Sequence, residues 1–534
     1  MAKNGIKDDV FLDVKPKDLL KQLSLRDQTV ELDINVPDNF YQTLLEQLLE
    51  REYLNDTSHR EFYMTPKGKQ KPVHWMQITR LPVHPNDNES YDLLSRWQGV
   101  LSGLHAWGYR LLFLLLRYEG KTKLYLGTTS TKQEISAEEA VEQLREACFG
   151  SMPGMGTRIL TSNVAVWDEI HAPLSAMDSI GAVTGIPSFR DAEQKGVLQT
   201  LDQLAFGIRD INGEDKDYAM LVIADPLSDE SIAEIISSHR QLSSQIHTAV
   251  KMTGGQSLGR GESKEAEAAA KAGIGILGTV VGGILGASTG AYIGSSIAGA
   301  ISGAISKQIN VNGSASTSRE YLDKFAEFAE EATNHHTERL NQGRNYGFWN
   351  TGIYVLGSTP RDVVTVTGML RSIYSGEETY YEPIRLHQFS PNSKALNIVR
   401  DRFELLPMID PEVVKKDGFE YGKDQWHIFG EYYQYLSTPI NTKELSLVTS
   451  LPRRDVPGLR FVKTAVRFAN NPAELRDDKI TLGRIVDTGI VQSNTYDIDP
   501  NSLVRHALVA GSTGSGKSTT CKRILSEFWI VIFL

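Results

Sequence analysis

The amino-acid sequence predicts a multidomain protein of mixed α/β and α+β class. N-terminal α+β domains carry a long helical arm, a β-rich collar follows, and the chain closes on the first strand, loop and helix of an α/β domain. Three observations predict this. Short apolar or alternating runs bounded by Gly, Pro and charged residues interleave with stretches of 3.6-residue period through the first 400 residues. A charge-free, glycine-periodic segment at 272–306 sits between two long helical patterns. Near the C-terminal end, Gly511, Gly516, Lys517 and Ser518 take the spacing G-x-x-x-x-G-K-[ST] between an apolar run and a helical pattern.

At 534 residues the chain has room for several cores. Cys148 and Cys521 are its two cysteines, which excludes a disulfide framework and points to a reducing compartment. The opening residues Met1 to Asp9 have no apolar core of signal-peptide length, so the expected location is cytoplasmic, with membrane association through 272–306 as the variant. The net charge of −10 argues against a chain that coats nucleic acid over its whole surface. From Ser450 onward, however, twelve Lys and Arg stand against eight Asp and Glu, a mildly basic end compatible with DNA as a partner.

Residues 1–70 read as a helical lead-in, with Phe40, Leu44, Leu45, Leu48 and Leu49 at helical spacing between Pro37 and Asn55. Residues 71–210 read as an α+β domain. Val73 to Thr79 alternates like a strand, Tyr91 to Trp107 is helical, and Tyr109–Tyr118 and Lys123–Thr128 form a strand pair turning at Glu119-Gly120. A helix at Ala137–Cys148 continues it. Trp75, Trp97 and Trp107 are expected in the core rather than on a base-stacking platform.

Residues 211–400 read as a second α+β domain. Asp217–Pro226 is a buried strand, Gly347–Leu356 and Pro383–His387 are further strands, and Arg361–Tyr374 is a helix. Its arm, 229–342, begins with a helix from Asp229 to about Lys251 and returns through Ser318–Gln342, where Tyr321, Phe325, Phe328 and Ala332 share a face. Between them, Gly278, Gly282, Gly286, Gly290 and Gly294 recur every fourth residue, a groove that lets a second helix approach closely. Either a re-entrant membrane hairpin or a soluble helical hairpin satisfies that pattern. His335-His336 with Glu338 is expected as a solvated pair rather than a metal site, and His239 and His247 are treated in the same way.

Residues 401–500 read as linker and collar, with a helix at Asn441–Leu447 and strands at Leu459–Phe468 and Ile480–Val486. In 501–534, the run Ala507–Ala510 is the expected strand before the loop. Gly511, Gly514 and Gly516 allow backbone angles closed to other residues, so that N–H groups of Gly511, Ser512, Thr513, Gly514, Ser515 and Gly516 can converge on a phosphate. The helix that follows points its unpaired first-turn N–H groups and the positive end of its dipole at the same place. Lys517 is the candidate catalytic residue, reaching the β- and γ-phosphates. Ser518 is the candidate Mg²⁺ ligand, and Thr519 and Thr520 are further phosphate contacts. The implied cofactors are ATP and Mg²⁺. Cys521, one turn on, is expected as a small buried residue. Sixteen residues follow Ser518, too few for the acidic strand such a site uses, so the expectation is a chain cut after its first strand, loop and helix.

The run from Leu482-Gly483-Arg484 through Asp499, and then Leu503-Val504-Arg505-His506 into the loop Gly511–Ser518, resembles the entry to the motor domain of HerA/FtsK-type ATPases. That group includes conjugation and type IV secretion ATPases. The resemblance implies the start of a RecA-like P-loop NTPase domain and a hexameric homo-oligomer that uses ATP to move DNA or protein. Three functions follow as expectations: the N-terminal part of a DNA-translocating or helicase-type motor, a membrane-associated secretion or conjugation ATPase touching the membrane through 272–306, or a non-catalytic assembly module.

Overall fold

Leu111-Leu112-Phe113-Leu114-Leu115-Leu116 is apolar at every position, which suits a strand only when both faces of its sheet are covered. The computed structural model bears this out. It describes residues 49–51, 54–55, 62, 72–83, 90–130, 135–190, 199–255, 315–390, 393–408, 429, 431–453, 455–463, 479–487, 490–503 and 506–533. The glycine-periodic segment 272–306 lies outside the described residues, as does nearly all of the helix expected at 37–55.

The core is one ten-stranded sheet in the order β10-β1-β3-β2-β6-β7-β5-β8, with β4 paired to β1 and β9 paired to β7. Its strands are β1 His74–Val83, β2 Tyr109–Tyr118, β3 Lys121–Ser130, β4 Gly156–Ile159, β5 Ser179–Thr184, β6 Tyr218–Pro226, β7 Phe348–Gly357, β8 Arg385–Gln388, β9 Thr438–Asn441 and β10 Arg460–Lys463. All pairings are antiparallel except that of β1 with β10. The β2–β3 hairpin turns through Glu119 (φ 50°) and Gly120 (φ 70°), two consecutive left-handed residues whose twist matches that of the strands they join.

Alternation along β2 divides the core in two. Leu111, Phe113 and Leu115 face a layer built from α1 Ser90–Trp107 and α2 Ala137–Ser151, together with the helices at 360–374 and 442–448. Leu112, Leu114 and Leu116 face the opposite layer with Ile170, Leu174, Ile398, Val399 and Leu406. Trp75 and Trp97 are buried as core residues, Trp97 donating its indole N–H to Thr449 Oγ1 at 2.9 Å. Trp75 lies opposite Gly127, where a Cβ would come within 2.8 Å of the indole ring. Trp107 is half-buried against the first layer.

Strands from both segments expected to be separate α+β domains share this sheet. The pairing of β2 with β6 runs from Leu111↔Ala224 to Arg117↔Tyr218, so the boundary expected near residue 210 falls inside one hydrogen-bonded ladder. The physical reason lies in β2 and β6 themselves, since an all-apolar strand left at a sheet edge would expose both its faces and its ladder. Part of the expected collar joins the same sheet through β9 and β10. β11 Ile480–Asp487 and β12 Ile490–Ile498 form a separate two-stranded ribbon.

The arm begins as α3 Asp229–Gly255 and α4 Ala315–Tyr346, which pack antiparallel, placing His239 beside His336 and Ser243 against Asn334 (2.9 Å). Its root is fastened by a bidentate pair. Arg339 on α4 donates to both carboxylate oxygens of Glu444 at 2.6 and 2.7 Å, the two side chains buried. Glu444 is also the third residue of α6 Thr442–Val448 and closes a capping box with Asn441. α5 Pro360–Tyr374 starts on a second such box, Thr359 with Asp362.

Replacing Phe113, buried at the centre of the sheet, by Ala should cost about 3–5 kcal/mol of stability through lost transfer energy and the cavity left behind. Replacing the exposed Leu525 by Ala should change stability by less than about 0.5 kcal/mol. Denaturant midpoints of the two variants beside the parent check both.

Candidate nucleotide-binding site

α7 Lys517–Phe533 begins where the glycine-rich loop ends. Gly514 (φ 83°) and Gly516 (φ 86°) both hold left-handed backbone, the conformation for which their lack of a Cβ suits them. Gly511 answers to space instead: a Cβ there would stand 2.3 Å from Ser515 Oγ. The Ser515 N–H bonds to the Ser512 carbonyl at 3.2 Å and closes the loop into a turn. The residues expected to share a site, Gly511 through Thr519, are therefore gathered into one turn and the first residues of one helix.

Lys517 folds back across that turn. Its ammonium donates to the carbonyls of Gly511 at 2.8 Å and Ser512 at 2.6 Å, so the cation is held over the concave side of the loop rather than extended into solvent. Residues 511–516 and 518–520 are exposed and Lys517 is half-buried, leaving the loop open to a ligand. Thr520 differs from the expectation of a phosphate contact: its N–H and hydroxyl both bond the Gly516 carbonyl, at 2.9 and 3.3 Å, and so serve the helix. The N–H groups of Lys517, Ser518 and Thr519 belong to the first turn of α7, which has no intrahelical acceptor for them.

These residues fit a polyphosphate. A loop with two left-handed glycines, a half-buried lysine and three leading helix N–H groups presents donors and positive charge to an anion. They fit Mg²⁺ only in part, through the Ser518 hydroxyl, since no group of three His, Cys, Asp or Glu spaced to hold a metal occurs among the described residues. A magnesium ion here would take its remaining ligands from phosphate and water.

Three expectations are corrected. Ala507–Ala510 is not a strand: it pairs with no strand among the described residues, and Leu508 is 91% exposed. A strand in front of such a loop forms only between parallel neighbours, and the described residues place none beside it. Cys521 is exposed, because α7 contacts the β11–β12 ribbon and leaves the side bearing Cys521 uncovered. Finally, His335 and His336 are not a solvated pair. His336 is buried, and His335 stacks on Tyr381 with ring centroids 3.9 Å apart. His239 is buried under Phe429 at 3.7 Å. The side chain of His247 lies outside the described residues.

The sequence reading missed the Arg339–Glu444 pair and its partners. The signal available was the Asn441-x-x-Glu444 spacing of a capping box, which marks a helix start but not the arginine more than a hundred residues earlier that shares the carboxylate.

Comparison with known families bears on this end of the chain. Residues 480–533 match the family model described as the central domain of the helicase HerA. The match takes in β11, β12, the loop and all of α7, about a tenth of the chain. No curated protein and no solved structure matches it. The matched segment contains the loop, and the large sheet lies outside it. Among the described residues no helix is long and apolar enough to cross a membrane.

The two thiols should differ sharply in reactivity. Burial pushes the Cys148 thiol up to about 12, whereas Cys521 is exposed. A thiol-specific chromogenic reagent at neutral pH should label Cys521 in the native protein and Cys148 only after denaturation, with peptide mapping to assign each.

Proposed function

We propose that this protein binds ATP with Mg²⁺ through the loop Gly511–Thr519 and works as a HerA-type motor ATPase. The observation that carries the reading is the coincidence of left-handed Gly514 and Gly516, a helix starting at Lys517 and the lysine poised over the loop, all within a segment matching the HerA central domain.

In this reading the N–H groups of Gly514 to Thr519 surround the β-phosphate, and the Lys517 ammonium exchanges its two carbonyl partners for β- and γ-phosphate oxygens. That exchange is favoured because each new bond joins opposite charges. The Ser518 hydroxyl would help hold a magnesium ion, which would supply charge neutralisation for the phosphates. The family reading extends this to a hexameric motor moving DNA. It is supported by the family match and by the mildly basic charge of the chain from Ser450 onward, and the large sheet would serve as the body on which the motor end is carried.

Lys517→Ala should weaken binding of a fluorescent ATP analogue by at least about tenfold, since it removes a charge-assisted contact of about 1.5–3 kcal/mol. Ser518→Ala should weaken binding in Mg²⁺ and leave the weaker metal-free binding nearly unchanged. Equal binding by the parent and Lys517→Ala in fluorescence anisotropy would remove the loop from the site.

A further inference from the structure

The root of the arm holds two buried imidazoles that the nucleotide site does not use. His239 on α3 and His336 on α4 face each other with ring centroids 5.8 Å apart, and both are buried. Phe429 covers the His239 ring from the other side at 3.7 Å. His239 Nδ1 lies 2.9 Å from the Ile235 carbonyl, so that nitrogen carries the proton. His336 has the opposite tautomer. Its Nδ1 lies 3.3 Å from an Arg339 N–H and must accept, which puts the proton on Nε2, a buried nitrogen with no hydrogen-bond partner among the described residues.

The charges around this pair are already balanced. Arg339 is engaged by Glu444, and Arg51 by Glu382 at 3.3 Å, each guanidinium with its own carboxylate and all four side chains buried. Arg339 also donates to the Pro439 carbonyl of β9, and Tyr433 packs under the Arg51 guanidinium. On the outer side stand His335, with the Glu378 carboxylate 4.0 Å away, and the exposed Glu338. Among the described residues, a proton added to either buried imidazole therefore enters a core whose buried carboxylates, Glu444 and Glu382, are each committed to a guanidinium. On His336 Nδ1 it would also set two donors against each other and break the contact to Arg339.

We propose that the His239–His336 pair is an acid-sensitive latch: neutral, it docks α3 and α4 onto the sheet, and protonation in mild acid undocks the root of the arm while the sheet stays folded. The arm moves because Arg339 is the shared member, tying His336 on α4 to Glu444 on α6 and to β9. Loss of the imidazole acceptor strips one partner from a guanidinium that spans three elements.

The sign follows from burial. Desolvation lowers His239 to about 4 and His336 well below 6.5, with the Arg339 charge adding to both. The undocked state, with histidines near their ordinary 6.5, binds more protons. Docking is therefore complete above that value and weakens as pH falls below it. Each histidine contributes about tenfold in the opening equilibrium per pH unit in that range, about 100-fold for the pair between pH 7.5 and 5.5.

Hydrogen exchange of the full chain, corrected for intrinsic rates and followed by mass spectrometry at those two pH values, tests this. Peptides covering 229–244 and 327–346 should open about 100-fold more at the lower pH, while β2, β6 and β7 keep their protection. His239→Phe and His336→Leu should each reduce the response to about tenfold. The parent protein decides alone if a variant does not fold. Unchanged exchange at the root, equal opening of root and sheet, or a full response surviving in both variants would each overturn the latch.

Discussion

Burial of both faces of the β2–β6–β7 strands is the constraint on which the rest of the structure depends. A strand such as 111–116, apolar at every position, cannot end a domain or face water, so each strand must have neighbours in the ladder and layers above and below. The chain meets that demand by returning to one sheet from far apart in sequence: β6 from beyond residue 210, β7 after the arm, β9 and β10 from beyond residue 430. The arm is an insertion between two adjacent strands of that sheet, β6 and β7, and so its two helices leave and re-enter the core at one place. This is why the buried polar side chains Arg339, Glu444, His239 and His336 concentrate there. A buried ion pair contributes little net stability over an apolar equivalent, but breaking one costs much, so such a cluster fixes geometry more than it adds stability.

The segment from residue 480 onward follows a different logic. Its ribbon and α7 leave Val486, Val491, Tyr496, Leu508, Leu525 and Trp529 at least half exposed, whereas the large sheet buries nearly all its apolar side chains. What this end holds in place is local: the left-handed angles of Gly514 and Gly516, the turn closed by Ser515, and the lysine over it. Those features need only a few residues, and they form in a segment with little packing around it. The ready exposure of the loop and its weak embedding are two sides of the same arrangement.

Much of this was legible in the sequence, and the boundary of legibility has physical causes. Glu119-Gly120 is a local signal, set by backbone angles within two residues, and the hairpin beside it lies close to where that signal puts it. The glycine-rich loop is legible for the same reason, since its motif and its conformation share one short stretch. Strand pairing is not local. Nothing in Tyr218–Pro226 announces that its neighbour is Tyr109–Tyr118, and so two expected domains merge in one sheet. Burial of polar residues is equally hidden. His336 reads as one of two adjacent helical histidines, and only the convergence of α3, α4 and α6 shows that one is enclosed and the other stacked on Tyr381.

The large sheet gives the protein its body and the loop gives it a chemical site, and the claim joining them is that Gly511–Thr519 takes a magnesium-bound nucleotide. Backbone N–H groups that grip phosphate must lose exchange with solvent when it binds. The most direct measurement is amide hydrogen exchange of the intact chain with and without Mg²⁺ and a non-hydrolysable ATP analogue. The account predicts protection centred on the peptide spanning 511–520, absent in Lys517→Ala. Protection confined to other peptides, or none at saturating nucleotide, would contradict it.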